Sequence, residues 1–172
     1  MTVLVGYASA HGSTAEIAER IGTLLAGRGH AVEVASLAAV PDTAGYETFV
    51  LGSAVHGMAW LPEATAFVED HRELLASRPV WVFSVGMPAA LHGPWKSLTR
   101  HEEEKVTGEL LAGLHPRGHA LFSGVIAPEH LPHSGRAIFK AMGLRYGDYR
   151  DWEAVEAFAD TVARSLTPAG DS

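Results

Sequence analysis

Ser9, Ser13 and Thr14 place three hydroxyls around Gly12 in the stretch Tyr7–Glu16, YASAHGSTAE. Hydroxyls of this kind, set ahead of a helix, are suited to holding an oxyanion. An apolar run, Val3-Leu4-Val5, precedes them and the amphipathic segment Ser13–Arg28 follows, so a buried strand is expected to turn directly into a helix. The first N–H groups of such a helix, and the positive end of its dipole, face whatever lies over the turn. Gly12 supplies positive φ or close backbone approach there. The turn has no lysine, which argues against a nucleoside-triphosphate loop, and the spacing Gly6…Gly12 is not that of a dinucleotide fingerprint. Two readings stay open at this point. One is a cradle for a single phosphate; the other is a plain helix start in which Ser13 caps and Glu16 completes a capping box.

Two further stretches could border the same place. Ser53–Ala64, SAVHGMAWLPEA, contains Gly57 and Trp60 and reaches Pro62, a residue tolerated in the first turn of a helix. Its tryptophan can stack on a planar ligand or pack down on its own helix. Ser84–Lys96, SVGMPAALHGPWK, is again rich in Gly and Pro and again bears a tryptophan, Trp95. Backbone N–H groups from Ser84 to Met87 could meet the polar edge of a heterocycle. Together the three stretches describe a phosphate cradle and two walls for a flat ring, a flavin-shaped site.

These stretches need a scaffold that brings them to one edge. Thr2–Tyr7, Ala31–Ser36, Thr48–Ser53, Val80–Val85 and Ala120–Ile126 read as strands, most of them apolar on both faces as parallel strands are. Between them run helical stripes: Ile17, Ile21, Leu24 and Leu25; then Ala64, Phe67, Val68, Leu74 and Leu75; then Trp152, Val155, Phe158, Ala159 and Val162, with Asp151 as an N-cap. Alternation of this kind predicts an α/β fold, a doubly wound five-stranded parallel sheet with helices on both faces. Ligands of such sheets bind beyond the carboxyl ends of the strands. The site is therefore expected after the first, third and fourth strands.

Composition narrows the function classes. The chain has 172 residues, suited to one domain, expected over 1–166 with a disordered tail at 167–172. A formal charge of −7 argues against a nucleic-acid partner. The absence of cysteine excludes disulfides, thiolate metal sites and Cys nucleophiles. Ten histidines raise the question of a metal, but His130 and His133 lie in a Pro-broken loop, and neither they nor His115 and His119 have a carboxylate cluster beside them, so no metal is expected. The run His101–Lys105, HEEEK, reads as a solvated helix start. Neither a signal peptide nor an apolar run of membrane-spanning length is evident, and a cytoplasmic location is expected. A phosphate-switched receiver domain would need an acidic pair after the first strand and an aspartate ending the third; Ala8, Ser9 and Ser53 stand there instead.

With these residues in view, the chain resembles the flavodoxin family. Ser9-Ala10-His11-Gly12-Ser13-Thr14 is similar to its phosphate loop, and Leu51–Val68, Phe83–Pro88, Ser123–Ile126 and Asp151–Ala163 are similar, in order, to blocks of the subgroup that contains menaquinone-dependent protoporphyrinogen dehydrogenase. The resemblance implies strand order 2-1-3-4-5 and flavin mononucleotide (FMN) as cofactor. It assigns the phosphate to Ser9, His11, Gly12, Ser13 and Thr14, with His11 standing where a small hydroxyl residue is more usual. The ring falls to Ala54, Val55, His56, Gly57, Trp60, Ser84, Val85, Gly86, Met87 and Trp95. The chemistry then belongs to the flavin, no catalytic side chain is called for, and the expected activity is that of an FMN-dependent oxidoreductase or electron-transfer protein, with a quinone or porphyrinogen-type substrate. The surface around Trp60, His92 and Trp95 would select that substrate. The loop Ala89–Lys96 departs from the porphyrinogen enzyme in having little basic character. The alternative is a flavodoxin-like scaffold without cofactor that acts through protein contact. Partners are accordingly a redox protein or a small electron donor or acceptor. Ala127–Arg150 sets Arg136, Lys140, Arg145 and Arg150 beside Ile138, Phe139, Met142 and Leu144, a pattern for peripheral contact with an anionic membrane, for an acidic partner, or for a solvated helix packed on the sheet.

Overall fold

A computed structural model describes residues 2–40, 42–57, 59–86 and 107–166. Strand β1, Thr2–Ala8, is buried except at Thr2 and Tyr7, as befits a strand covered on both faces. It leads into helix α1, Ser13–Gly27, and returns to strand β2, Ala31–Ser36. Strand β3, Thr48–His56, turns back through the short β4, Ala59–Trp60, before helices α2, Pro62–Asp70, and α3, Arg72–Ala76. Strands β5, Val80–Gly86, and β6, Gly118–Ser123, complete the main sheet. The chain then forms β7, Val125–Ile126, helix α4, His133–Ala141, β8, Gly147–Asp148, and helix α5, Trp152–Leu166.

The main sheet runs β2-β1-β3-β5-β6, the expected order 2-1-3-4-5, and these neighbours are all parallel. Its two faces carry separate cores. On one, Val3, Val5, Val50 and Phe83 meet Ile17, Ile21 and Leu25 of α1 and Val155, Ala159 and Val162 of α5. On the other, Leu4, Phe49, Leu51 and Val82 meet Ala64, Phe67 and Val68 of α2 and Leu75 of α3. Each such side chain contributes about 1.5–3 kcal/mol when fully buried. These contacts hold the carboxyl ends of β1, β3 and β5 along one edge.

Four elements depart from the expected pattern. The third strand runs on to His56, because Val55 and His56 pair antiparallel with Trp60 and Ala59. The second helical stripe divides at His71 into α2 and α3. Trp152 leaves its stripe and lies at the surface beneath the Arg150 guanidinium, 4.9 Å from its ring centroid, while Asp151 does cap α5, its Oδ1 accepting the Ala154 N–H at 3.0 Å. The expected fifth strand, Ala120–Ile126, breaks at Gly124 and changes sheet. The Gly124 N–H donates to Gly86 O at 3.0 Å, still in line with β5, but its carbonyl accepts from Tyr149, and β7 pairs antiparallel with β8.

The segment from β7 to β8 forms an annex with its own small cluster, in which Ile126 and Phe139 are buried against Leu131, Leu144 and Tyr149. Helix α4 packs there and not on the main sheet. No helix among the described residues is long and apolar enough to cross a membrane. The tail expected at 167–172 and the helix start expected at His101–Lys105 lie outside the described residues.

Candidate functional site

The turn after β1 is built by backbone geometry. Gly12 sits at φ +97°, a left-handed conformation that an L side chain rarely adopts, and its N–H donates to Ser9 Oγ at 3.0 Å. The first helical bond of α1 runs from the Glu16 N–H to Gly12 O at 3.0 Å, which leaves the N–H groups of Ser13, Thr14 and Ala15 ahead of the ladder. The capping-box reading is not the one the structure adopts: Ser13 is the first helical residue, no side chain caps α1, and the Glu16 carboxylate pairs with Arg150.

Thr14 carries the clearest sign of a ligand. Its side chain is buried and its Oγ1 has no hydrogen-bond partner among the described residues. A buried hydroxyl left unsatisfied costs about 1–3 kcal/mol, so it is expected to have a use. Three other described side-chain atoms share this condition, His30 Nε2, Thr48 Oγ1 and Trp81 Nε1, but these residues stand just before or at the starts of β2, β3 and β5, at the opposite edge of the sheet. Thr14 alone among them borders a cleft at the carboxyl edge.

That cleft has a volume of about 360 Å³, within the range of small-molecule sites. His11, Ser13 and Thr14 form its floor, Ala54, Val55, His56 and Gly57 one side, and Val85 and Gly86 the back, so nine of the expected residues converge. The opposite side comes from Gly124, Val125, Ile126, His130, Leu131 and Pro132, none of which the sequence had assigned to the cofactor. Gly124 is required by closeness: a Cβ there would lie 3.0 Å from both Ser13 Oγ and Val85 Cγ1. Ser9 and Gly12 shape the turn from behind.

Trp60 and Ser84 sit elsewhere. Trp60 is 4% exposed in the core on the far face, and its Nε1–H donates to Ser84 Oγ at 2.8 Å. Ser84 Oγ also shares a 3.1 Å hydrogen bond with His119 Nε2. Both groups are committed to fixing the β3–β4 hairpin against β5, helped by Ser53 Oγ, which accepts the Leu61 N–H at 3.0 Å. Trp60 thus follows the packing reading and is not a wall of this cleft. Met87, His92, Trp95 and the loop around them lie outside the described residues.

The charge at the mouth is unusual for an anion site. No Lys or Arg is among the described lining residues, and three imidazoles stand there. His11 stacks on His130 with ring centroids 3.9 Å apart and planes within 6°, and lies 5.8 Å from His56. Loss of solvent and then the neighbouring His130 and His56 hold His11 below its ordinary 6.5, with Glu129 opposing. His130 Nδ1 accepts the Ala127 N–H at 3.3 Å.

The nearby cation, Arg150, is spoken for. Its guanidinium makes two hydrogen bonds to Asp148, at 2.9 and 2.6 Å, pairs with Glu16 and covers Trp152. This cluster ties the annex to α1. Asp148 is held below its ordinary carboxylate range, chiefly by the Arg150 hydrogen bond.

Comparison with known proteins identifies the family and the fold. The flavodoxin domain family matches over residues 4–150. No curated protein matches the chain in sequence. Among solved structures, oxidised flavodoxin 2 from Bacillus cereus is similar at 23% identity, covering 96% of this chain and 99% of that one, with a TM-score of 0.61. Two-electron-reduced flavodoxin from Megasphaera elsdenii is similar at 18% identity, covering 95% and 99%, with a TM-score of 0.56. The rubredoxin oxygen:oxidoreductase of Desulfovibrio gigas is similar at 17% identity over 96% of this chain, with a TM-score of 0.62, but the chain spans only 36% of that protein's length. At these identities the likeness is one of fold.

Proposed function

The chain belongs to the flavodoxin domain family, and on that premise we propose that it binds one FMN in the cleft between α1, the end of β3 and the annex, and works as an electron-transfer flavoprotein. The observation that carries the reading is Thr14 Oγ1, buried beside the start of α1 and without a partner among the described residues. A phosphate there would accept from that hydroxyl, from Ser13 and from the leading N–H groups of the helix, whose dipole favours negative charge. Val55, Val85, Val125 and Ile126 offer apolar surface for the flat ring, and the narrow approach at Gly124 keeps the annex close to α1. When bound, the flavin supplies the redox chemistry, and the protein supplies position and electrostatics.

The finer reading concerns what exchanges electrons with it. Helix α4 and the turn after it expose Ile138 at 62%, Met142 at 46% and Tyr146 at 39%, beside Arg136, Lys140 and Arg145, with no Asp or Glu between His130 and Gly147. A basic and apolar surface next to a flavin cleft favours an amphiphilic acceptor, a quinone met at an anionic membrane surface, with a porphyrinogen's carboxylates as a second candidate for the same cations. The protein then acts in the cytoplasm as an FMN-dependent oxidoreductase.

Gently purified protein should be yellow, and FMN added to stripped protein should be quenched to a stoichiometry of one per chain. Colourless protein that quenches no FMN would leave the cofactor-free scaffold in its place. Reduced protein offered menaquinone, a porphyrinogen and a small redox protein in parallel is expected to be reoxidised fastest by the quinone; reoxidation by the redox protein alone would mark it as a carrier.

A further inference from the structure

We infer that binding of the FMN phosphate is coupled to uptake of a proton by the His11–His56–His130 cluster, which supplies the positive charge that the phosphate loop lacks. The inference rests on the FMN reading above. A phosphate monoester carries about −1.5 to −2 charge near neutral pH, whereas a helix N-terminus offers the equivalent of roughly half a positive charge. The described lining of the cleft adds no Lys or Arg to that half charge, and Arg150 is already shared between Asp148 and Glu16. What it does add is three imidazoles, from the turn after β1, the end of β3 and the annex.

The geometry makes this cluster responsive. Two stacked rings with centroids 3.9 Å apart repel if both are charged, and the Ala127 N–H, which can only donate, requires an unprotonated Nδ1 on His130. Without an anion the arrangement therefore disfavours charge on His11. Burial first, and then His130 and His56, disfavour charge on His11, and Glu129 favours it. An anionic phosphate in the cleft reverses the balance and raises the affinity of the cluster for a proton. By linkage, FMN binds more tightly as pH falls through the bound-state value, with a limit of tenfold per pH unit per proton. The gain ends where the phosphate itself takes up a proton, near its second pKa of about 6.

The test is isothermal titration of the full chain with FMN and with riboflavin between pH 6.5 and 8, in two buffers of different ionisation enthalpy. From pH 8 to 6.5, FMN should tighten about three- to tenfold, with roughly half to one proton taken up per FMN near pH 7, while riboflavin stays flat. The double variant His11→Gln with His56→Gln, checked for an unchanged thermal midpoint, should flatten the FMN slope and abolish the proton uptake whatever it does to the affinity itself. FMN binding with a flat profile, a slope shared with riboflavin, or a slope that survives both substitutions overturns the proton linkage alone. Absence of flavin binding at every pH overturns the FMN reading as well.

Discussion

The body of the molecule and its annex are held together by different physics. The body is a sheet buried between two helical layers, with Phe83, Phe122 and Phe158 meeting edge to face or tilted at 5.8–6.3 Å. The annex, from Val125 to Arg150, buries only Ile126 and Phe139 among its apolar side chains and relies on the Arg150 cluster and on the Tyr149 N–H to Gly124 O bond. The body therefore carries the stability and one half of the cleft, while the annex supplies the other half from a layer with little core of its own. Segments with few buried contacts open locally at lower free energy than the whole. A cofactor held in the proposed cleft between the two would be exposed to the annex's opening, not to unfolding of the body.

Substitutions can break this contrast in order of effect. Phe83→Ala should be the most damaging, at about 3–5 kcal/mol, lowering the midpoint of thermal unfolding for the whole chain. Phe139→Ala removes the buried ring of the annex; amides of β7 and β8 should exchange faster while those of β1 and β5 keep their protection, and FMN affinity should fall without a matching loss of global stability. An equal effect on both regions would show that the annex is part of the body's cooperative unit. Arg150→Gln removes partly exposed ion pairs, whose stabilities are commonly below about 1 kcal/mol. Its effect should be confined to faster exchange in β8 and at the start of α1. The smallest effect is in acid. The Asp148 carboxyl is depressed by Arg150, so its contribution is present above its ordinary 3.8 and is lost as pH falls through the lower folded value. Annex exchange in the wild type should accelerate there, and Arg150→Gln should be insensitive over the same range.

The same division decides what could be read from sequence. Strands covered on both faces leave apolar runs such as Val3-Leu4-Val5 and Val80–Phe83, and their alternation with helical stripes constrains the topology, so the body was legible. The turn from Ser9 to Thr14 was legible because its hydroxyls and Gly12 sit beside the strand that positions them. Trp60 was not, since whether an aromatic on a hairpin faces a ligand or the core depends on a partner distant in sequence, Ser84. Nor was the annex wall. His130, Leu131 and Pro132 reach the cleft only because Gly124 lets the chain leave β6 close against Ser13, and a single glycine in an apolar run gives no sign of a change of sheet. His130, which with His133 has a metal-like spacing, stacks on His11 in the folded chain, while His133 opens α4.

The central claim is that Thr14 is kept buried and unpaired for a phosphate, and Thr14→Val tests it most directly. Its hydroxyl has no partner among the described residues, so removing it should leave the cofactor-free thermal midpoint unchanged or slightly raised. Titrated side by side, FMN should bind the variant about ten- to a hundredfold more weakly, the worth of a hydrogen bond to a charged group at about 1.5–3 kcal/mol, while riboflavin, which lacks the phosphate, binds as before. Equal losses for FMN and riboflavin, or no loss for either, would contradict the account.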